Sequence, residues 1–389
     1  MKILIVNEYL EYQGAEEIVK KQYGILSKNN DVYLLTFNDG RKNAESFYTK
    51  KYRIIEISYV FKMFFSVFDY CRIRKYIKSI NPDLIILHNI FSSPITVYRS
   101  IKGFKAIQIV HDYKIICPTS RCVREKDKKT CDGYKFRACF RECGIDENKV
   151  KLFFQLKMVA KCERLRKKNI QLFISPSDTL NQYLKRYDYN SIVVNNPIEF
   201  DKKFHLQKHN KCNDKLKLLY MGAIRKDKGV EELLSTLIKS KIDFEIDLYG
   251  KVDKNYDLSK LYKYSNIKFK GEKNHDELMM LLKNYDYLVV PSMWLENYPT
   301  TVLEAMVNGI VVLGSNRGGI VELLSHSRGI LYQYGDDDSL LNALKKINEM
   351  TQNEYEAIRI NAFKYVTNNN NVALYESRLI DSVNYMIGN

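Results

Sequence analysis

Short apolar runs alternate with longer amphipathic segments along the whole chain. The runs are rich in β-branched residues, and a run of this length and composition is typical of a buried parallel strand. They lie at 2–7, 31–37, 83–87, 106–110, 172–175 and 191–194, and again at 217–221, 244–250, 267–269, 287–290, 310–313 and 329–332. The intervening segments, at about 15–28, 58–80 and 148–169 in the first half, have the apolar spacing of helices. This alternation predicts an α/β fold with parallel sheets covered by helices on both faces.

The alternation occurs twice, on either side of the polar stretch 199–214. A chain of 389 residues exceeds the size at which a single hydrophobic core usually keeps growing. We therefore predict two doubly wound, Rossmann-like domains, an N-terminal one at 1–198 and a C-terminal one at 199–369, followed by a terminal helix at 370–389.

The positive charge is concentrated in the first half of the chain. Residues 1–200 contain 36 Lys and Arg against 21 Asp and Glu, whereas residues 201–389 contain 26 against 25. This asymmetry favours an anionic partner, which could be a membrane surface, a nucleic acid or a phosphorylated substrate, although a basic solvated surface would give the same count. The opening MKILIVNEYL is too short and too soon followed by acidic residues for a signal peptide, so we expect a cytoplasmic location.

Ligands of open α/β sheets bind at the carboxyl ends of the strands. Gly14 lies between the first strand and the first helix, where it could let a backbone approach a phosphate or could serve only the turn. After the first strand of the second half, Gly222 is followed by Arg225 and Lys228, just before a helix that begins near Val230. Cations beside a helix N-terminus suit a diphosphate.

The segment 291–324 is the most informative stretch of the sequence. Glu296 lies in a loop and Glu304 eight residues later, in the second turn of a helix for which we expect Thr300 as N-cap, preceded by Pro299. The two carboxylates can then face one site. Carboxylates accept hydrogen bonds from vicinal hydroxyls, and amides at the start of a helix bind phosphate, so this site suits a sugar nucleotide.

These residues resemble the E-x7-E signature of the retaining glycosyltransferases of family 4, also called group 1, which have the two-domain GT-B architecture. The resemblance covers about residues 2–335 and includes, in family order, FISPSDTL, VVNNPI, IKFKG, YDYLVVPSMWLENYPTTVLEAMVNGIVVL and GGIVE. It implies a cleft between the two domains that holds the active site. It also implies that the terminal helix packs back on the N-terminal domain, and that the enzyme transfers a sugar with retention of the anomeric configuration.

The resemblance also assigns roles to individual residues. Glu296 matches the glutamate that contacts the donor sugar, Glu304 the one that holds the ribose, and Lys228 the diphosphate-binding lysine. The remaining positions that it implies are the glycine loop at Gly14, the backbone loop Asn297, Tyr298, Pro299, Thr300 and Thr301, and His111 beside the donor sugar. Relatives usually have an arginine directly after Gly222, where this chain has Ala223, and Arg225 is the candidate replacement.

A hexosyl transfer from a nucleotide diphosphate sugar, with a UDP-sugar expected as donor, needs no cofactor in this scheme. Cations and amides would stabilise the diphosphate leaving group, and His111 could orient the sugar or assist a proton transfer. The expected acceptor is lipid-linked or an oligosaccharide, in the synthesis of cell-surface polysaccharide. An epimerase or a phosphorylase could use the same fold. A nucleic-acid binder would fit the charge, but no spacing typical of a nucleic-acid-binding motif supports it.

Two further features concern this chain in particular. Five cysteines follow His111, and they could be free thiols, form disulfides, or bind a structural zinc through Cys117, Cys131, Cys139 and Cys143, with Cys122 as the fifth. Segments 58–78 and 149–168 combine aromatic and basic residues. Such helices either belong to the core or lie in a membrane interface, and the second possibility favours a peripheral position at the inner face of the cell membrane.

Overall fold

The computed structural model describes residues 1–8, 14–38, 54–58, 66–90, 93–124, 129–131, 133, 136–143, 149–200, 206, 209–211, 215–254, 256–261 and 263–388, with the backbone alone at 38, 54–58, 136 and 151. The chain forms two compact units. The first consists of Met1–Asp127, Cys131–Asn196 and Ala373–Asn389, and the second of Lys128–Thr130 and Pro197–Val372.

The first unit contains one seven-stranded sheet in which every pairing is parallel. Its strands are β1 (Lys2–Val6), β2 (Asp31–Asn38), β3 (Ile54–Ser58), β4 (Leu84–Leu87), β5 (Ala106–Ile109), β6 (Leu172–Ser175) and β7 (Ser191–Val193). Their order across the sheet is β3-β2-β1-β4-β5-β6-β7. The helices of this unit are α1 (Gly14–Leu26), α2 (Val67–Ile80), α3 (Pro94–Ser100), α4 (Phe136–Glu142), α5 (Lys149–Asn169), α6 (Asp178–Arg186) and α13 (Val372–Gly388).

The terminal helix α13 contributes to the core of the first unit. Tyr375, Leu379 and Val383 pack with β1 and β4 residues in one buried apolar cluster. Gln22 of α1 donates a hydrogen bond from its Nε2 to the Tyr375 hydroxyl at 2.7 Å. Burial of side chains of this size contributes about 1.5–3 kcal/mol each. The helix is therefore an integral part of this unit.

The second unit repeats the design with a six-stranded parallel sheet. Its strands are β8 (Leu216–Met221), β9 (Phe244–Tyr249), β10 (Ile267–Gly271), β11 (Tyr287–Val290), β12 (Val311–Ser315) and β13 (Ile330–Tyr332), in the order β10-β9-β8-β11-β12-β13. The helices are α7 (Val230–Lys239), α8 (His275–Leu282), α9 (Thr300–Val307), α10 (Gly319–Leu324), α11 (Asp337–Glu349) and α12 (Gln352–Asn369).

Both sheets reverse their strand order at one point, between β1 and β4 in the first unit and between β8 and β11 in the second. In doubly wound folds the ligand site lies outside the carboxyl ends of the strands at such a point. Ligand-binding and catalytic residues are therefore expected directly after β4, β8 and β11. Within the described ranges, no helix is long and apolar enough to cross a membrane.

Candidate active site

The turn after β8 is held against the turn after β11. Gly229 has φ +70°, and a Cβ built on it would lie 1.9 Å from the carbonyl oxygen of Pro291, so only glycine fits there. The backbone N–H of Met293 donates to the carbonyl of Asp227 at 3.1 Å. These contacts fix the distance between the two loops that carry the predicted cation and carboxylate.

Glu296 is the centre of a buried hydrogen-bond cluster. Its Oε1 accepts from Lys228 Nζ at 2.7 Å, from Ser292 Oγ at 2.5 Å and from Trp294 Nε1 at 2.5 Å. The Glu296 side chain is 13% exposed and that of Lys228 18%. The structure thus brings together two residues that the sequence placed on separate loops, and it adds two donors from the loop after β11.

The protonation of Glu296 follows from these contacts. Burial by itself would raise the pKa of this carboxyl, because desolvation disfavours its charged form. The Lys228 ammonium and the hydrogen bonds from Lys228, Ser292 and Trp294 outweigh that effect, so the pKa lies below its usual value. Glu296 is therefore a carboxylate at neutral pH and can accept hydrogen bonds from sugar hydroxyls.

Arg225 lies beside this cluster. Its guanidinium bonds both carboxylate oxygens of Asp227, at 3.1 and 3.2 Å, and stands 5.4 Å from the centroid of the Trp294 ring. The Lys228 ammonium lies 4.2 Å from the same ring. Cations over an indole face are stabilised by the ring quadrupole. The side chains of Arg225 and Lys228 thus meet at one tryptophan, and Ala223 adds no charge to this turn.

Helix α9 begins at Thr300, and its N-cap residue is Pro299, which makes no side-chain capping bond. The expectation that Thr300 is the N-cap was wrong by one residue, because the proline already holds the extended conformation of the cap. Helix α7 likewise begins without a side-chain cap, after Gly229. The first amides of an uncapped helix are suited to bind an anion. Thr300 and Thr301 are the first two residues of α9.

The loop between Glu296 and α9 is buried. Asn297 is 8% exposed, and Tyr298 packs in the apolar core of the second unit, where Asn370 Nδ2 donates to its hydroxyl at 3.1 Å. The Tyr298 side chain therefore holds the loop in place, and at this residue only the backbone can contribute to a donor site. Glu304, on α9, is 8% exposed and lies 3.8 Å from Nδ1 of His275.

Two glycines after β12 support the same loop from the other side. The backbone N–H of Gly319 donates to the carbonyl of Glu296 at 2.7 Å. A Cβ on Gly318 would lie 2.2 Å from the Glu296 carbonyl oxygen, and one on Gly319 would lie 1.8 Å from that of Asn297. Any other residue would push this backbone away.

In the first unit, His111 lies two residues after β5 and is hydrogen-bonded to His88, which directly follows β4. The Nε2 atom of His111 is 2.8 Å from Nδ1 of His88, and the two rings meet edge to edge, with planes 18° apart and centroids 5.1 Å apart. Both histidines line a cavity of about 80 Å³ together with Gln108, Gln155 and Arg166. Burial lowers the pKa of His111 to about 4, and burial and the neighbouring His111 hold that of His88 well below its usual value.

Gly14 opens α1, and a Cβ on it would meet nothing within 4 Å. No described neighbour therefore requires glycine at this position. The rest of the predicted glycine loop, 9–13, lies outside the described residues, as do Tyr59, Phe61, Phe64 and Phe65 of the predicted membrane segment.

The five cysteines that follow His111 all lie in described parts of the chain. Cys117, Cys122, Cys139 and Cys143 are buried and Cys131 is half-buried, and none of these five forms a disulfide with another described cysteine. A hydrogen bond with Cys122 lowers the pKa of Cys117 to about 6. Across the part of the chain that the structure describes, no three His, Cys, Asp or Glu side chains are arranged to hold a metal ion. The zinc alternative, through Cys117, Cys131, Cys139 and Cys143, and the free-thiol alternative both stay predictions.

Sequence reasoning did not assign a role to His88, Ser292, Trp294 or the Gly318–Gly319 pair. His88 follows a predicted strand directly, so the strand-end rule could have found it. Trp294 and Ser292 lie within four residues of Glu296, but nothing in their spacing predicts that both donate to one carboxylate oxygen.

Known proteins resemble the chain in sequence and in fold. Residues 201–365 match the family model of the glycosyl transferases group 1. An uncharacterized glycosyltransferase of Methanocaldococcus jannaschii is 24% identical over 245 residues, which is 59% of this chain and 56% of that protein. The chain thus spans little more than half the length of this curated relative.

Three solved structures cover nearly the whole chain. Sucrose-phosphate synthase from Thermosynechococcus elongatus has a TM-score of 0.72 at 16% identity and covers 100% of this chain, with 99% of its own length matched. HepE of Anabaena in complex with UDP-glucose has a TM-score of 0.68 at 15% identity, covering 99% of this chain and 100% of its own. WaaG, a glycosyltransferase involved in lipopolysaccharide biosynthesis, has a TM-score of 0.67 at 15% identity, covering 100% of both chains.

These likenesses confirm the predicted fold class, an α/β architecture of two doubly wound Rossmann-like domains. The matched region contains Lys228, Glu296, Glu304 and the loop between the two glutamates. The match supports the prediction of a transferase. The chain has the GT-B fold, and its residues 201–365 are similar to the glycosyl transferases group 1.

Proposed function

We propose that the protein is a retaining glycosyltransferase of family 4 that moves a hexosyl group from a nucleotide diphosphate sugar, with a UDP-sugar as the donor. The contact between Glu296 and Lys228 carries this proposal. It joins a carboxylate that is ionised at neutral pH to a cation, beside two uncapped helix starts at the switch point of the second sheet. The likeness to HepE, a structure solved with UDP-glucose, supports the choice of nucleotide.

The proposed roles follow from what each group can donate or accept. Lys228 and the first amides of α9 would bind the diphosphate, since both present N–H donors to an anion. Glu296 would accept hydrogen bonds from the sugar hydroxyls, and Glu304 from those of the ribose, as the E-x7-E resemblance implies. Arg225, whose guanidinium lies beside the same Trp294 ring as Lys228, would add a second positive charge to the site. As the sugar leaves, these donors would stabilise the negative charge that develops on the diphosphate.

We further propose a lipid-linked or oligosaccharide acceptor in cell-surface polysaccharide synthesis, handled at the inner face of the cell membrane. The first unit exposes large apolar side chains near the starts of two helices that both pack against α3. These are Val67 (61% exposed) and Phe68 (72%) of α2, and Val150 (64%) and Phe154 (45%) of α5. Exposed basic residues such as Lys75 and Lys78 of α2 accompany them, and each can contribute about 1 kcal/mol near anionic lipid. Arg74 is not one of these, because it donates to the carbonyls of Ser100 and Lys102.

Vesicle flotation tests this surface. We expect binding to anionic vesicles at low salt, no binding to neutral ones, and a loss of binding in a Phe68→Asp, Phe154→Asp double variant. A Met280→Asp variant is the matched control, because Met280 is 64% exposed in the second unit. Equal flotation of wild type and double variant would contradict the proposal that these side chains bind the membrane.

The activity is tested in two steps. A thermal-shift screen against UDP-, GDP-, ADP- and TDP-sugars identifies the donor, and NMR of the product with a lipid-linked or simple glycoside acceptor reports the anomeric configuration. We expect stabilisation by UDP-sugars, retention in the product, and no turnover in a Glu296→Ala variant. Inversion would contradict the retaining assignment, and conversion of the donor without an acceptor would indicate an epimerase. Wild-type turnover by Glu296→Ala would refute the active site.

A further inference from the structure

His88 belongs to the site around His111, and neither the sequence nor the comparisons assign it a role. It is 1% exposed and directly follows β4, at the switch point of the first sheet. Its backbone is fixed by the bond from its own N–H to the carbonyl of Val6 at 2.8 Å. The parallel pairing of β4 with β5 then brings its ring to His111, with Nδ1 and Nε2 2.8 Å apart.

A contact of this length between two neutral imidazoles contains one proton. Because burial lowers the pKa of both rings, both are neutral at pH 7. Either His88 Nδ1–H donates to His111 Nε2, or His111 Nε2–H donates to His88 Nδ1. The two arrangements differ in the tautomer of each ring, and the tautomer decides whether a histidine can give or take a proton.

The other nitrogen of His88 discriminates between the two arrangements. Its Nε2 is buried and has no hydrogen-bond partner among the described residues. If His111 donated, the proton of His88 would have to lie on this atom, as a buried N–H without an acceptor. If His88 donates, the atom carries only a lone pair. Buried N–H groups without an acceptor are rarer in proteins than acceptors that are not used.

We propose that His88 is a positioning residue whose Nδ1–H donates to Nε2 of His111 and so keeps the proton of His111 on its Nδ1. Nε2 of His111 is then occupied as an acceptor and cannot remove a proton from a substrate hydroxyl. The N–H on Nδ1 of His111 can then act only as a hydrogen-bond donor. Any role of that N–H toward the donor sugar rests on the proposed function, which brings the sugar to His111, whereas the tautomer itself does not.

The tautomer is measured without any activity. Long-range ¹H–¹⁵N correlation spectra of protein labelled at histidine report which nitrogen of each ring is protonated, and the signals of the pair are assigned by their loss in His88→Asn and His111→Asn. We expect both rings to carry their proton on Nδ1 at pH 7. A proton on Nε2 of His111 would overturn the proposal, whether or not the protein transfers sugar.

Two substitutions of His88 test the consequence for turnover. Asparagine places an amide N–H close to the position of Nδ1, whereas phenylalanine keeps the size of the ring and has no donor. We expect His88→Phe to lower kcat about 10- to 100-fold with unchanged affinity for UDP, and His88→Asn to stay within about threefold of wild type. Equal activity of both variants, or an equal loss in both at an unchanged melting temperature, would contradict a positioning role.

Discussion

Lys228 Nζ lies 2.7 Å from Glu296 Oε1, so the predicted diphosphate ligand and the predicted sugar ligand are in direct contact. An ammonium has three N–H donors, and one of them is used here. Lys228 can therefore hold Glu296 and reach a phosphate oxygen at the same time. In that arrangement the lysine would set the position of the carboxylate relative to the leaving group, and its removal would affect both ends of the donor.

Replacing Lys228 by methionine tests this coupling. The substitution keeps the apolar stem on Trp294 but removes the charge, so we expect turnover to fall at least about 100-fold, as when one charge-stabilising donor is lost. Affinity for UDP, measured by calorimetry, should fall about tenfold, which is about 1.4 kcal/mol. Lys226→Met is the control, because Lys226 is exposed two residues away and should stay within about threefold of wild type. Unchanged UDP affinity in Lys228→Met would exclude the diphosphate role.

Glu296→Gln separates charge from shape. Because the folded-state pKa of Glu296 is lowered, its charged form stabilises the fold above the unfolded-state pKa near 4.5, and this contribution is lost as the pH falls through the folded-state pKa. In urea titrations we expect the stability difference between wild type and Glu296→Gln to be constant from about pH 8 to 5.5 and to shrink below that. A difference that grows in acid would show that the Lys228 contact does not hold the carboxylate.

Much of the fold can be predicted from the sequence, because buried parallel strands consist of continuous apolar residues. Runs such as 83–87 and 287–290 are the strands β4 and β11 within a residue. Strand β3 (Ile54–Ser58) was missed, since IIEIS is short and has a glutamate at its centre. Its place at the edge of the sheet is decided by pairing with β2, which local sequence does not specify.

The candidate site is predictable only in part, because it too depends on tertiary contacts that local sequence does not specify. The rule on strand ends and the E-x7-E spacing identify Lys228 and Glu296 as residues of interest. The convergence of Ser292, Trp294 and Lys228 on one oxygen depends on loop geometry that Gly229 and Pro291 fix by close approach. Likewise, His88 and His111 meet because β4 and β5 are neighbours in register. Contacts of this kind arise from tertiary structure and leave no periodic signal.

Gly319→Ala tests the close approach behind the Glu296 loop. A Cβ at 1.8 Å from the Asn297 carbonyl oxygen must displace backbone, so we expect a loss of stability of about 1–3 kcal/mol and a marked fall in turnover. Gly24→Ala in α1 is the matched control, because a Cβ there meets nothing within 4 Å and alanine should stabilise the helix by up to about 1 kcal/mol. A Gly319→Ala variant as stable and active as wild type would show that the loop is not held in this way.

The histidine pair predicts how stability depends on pH. A histidine that stays neutral in the fold while the unfolded chain binds a proton destabilises the folded state as the pH falls below the unfolded pKa near 6.5. The loss continues down to the folded pKa, which is about 4 for His111 and well below its usual value for His88. In that window, each histidine should lower the free energy of unfolding by up to about 1.4 kcal/mol for each pH unit.

The cavity beside His88 is also lined by other ionisable side chains, those of Asp112, Lys114, Cys162 and Arg166. The contribution of His88 to the pH dependence is therefore measured as the difference between a His88 variant and wild type. Asparagine does not titrate, and it keeps the hydrogen bond to His111. We therefore expect unfolding free energies from urea titrations between pH 7 and 4.5 to fall less steeply in His88→Asn than in wild type, by the contribution of one proton. Equal slopes in His88→Asn and wild type would mean that His88 takes up its proton in the fold as readily as in the unfolded chain, and would remove the basis for a neutral pair.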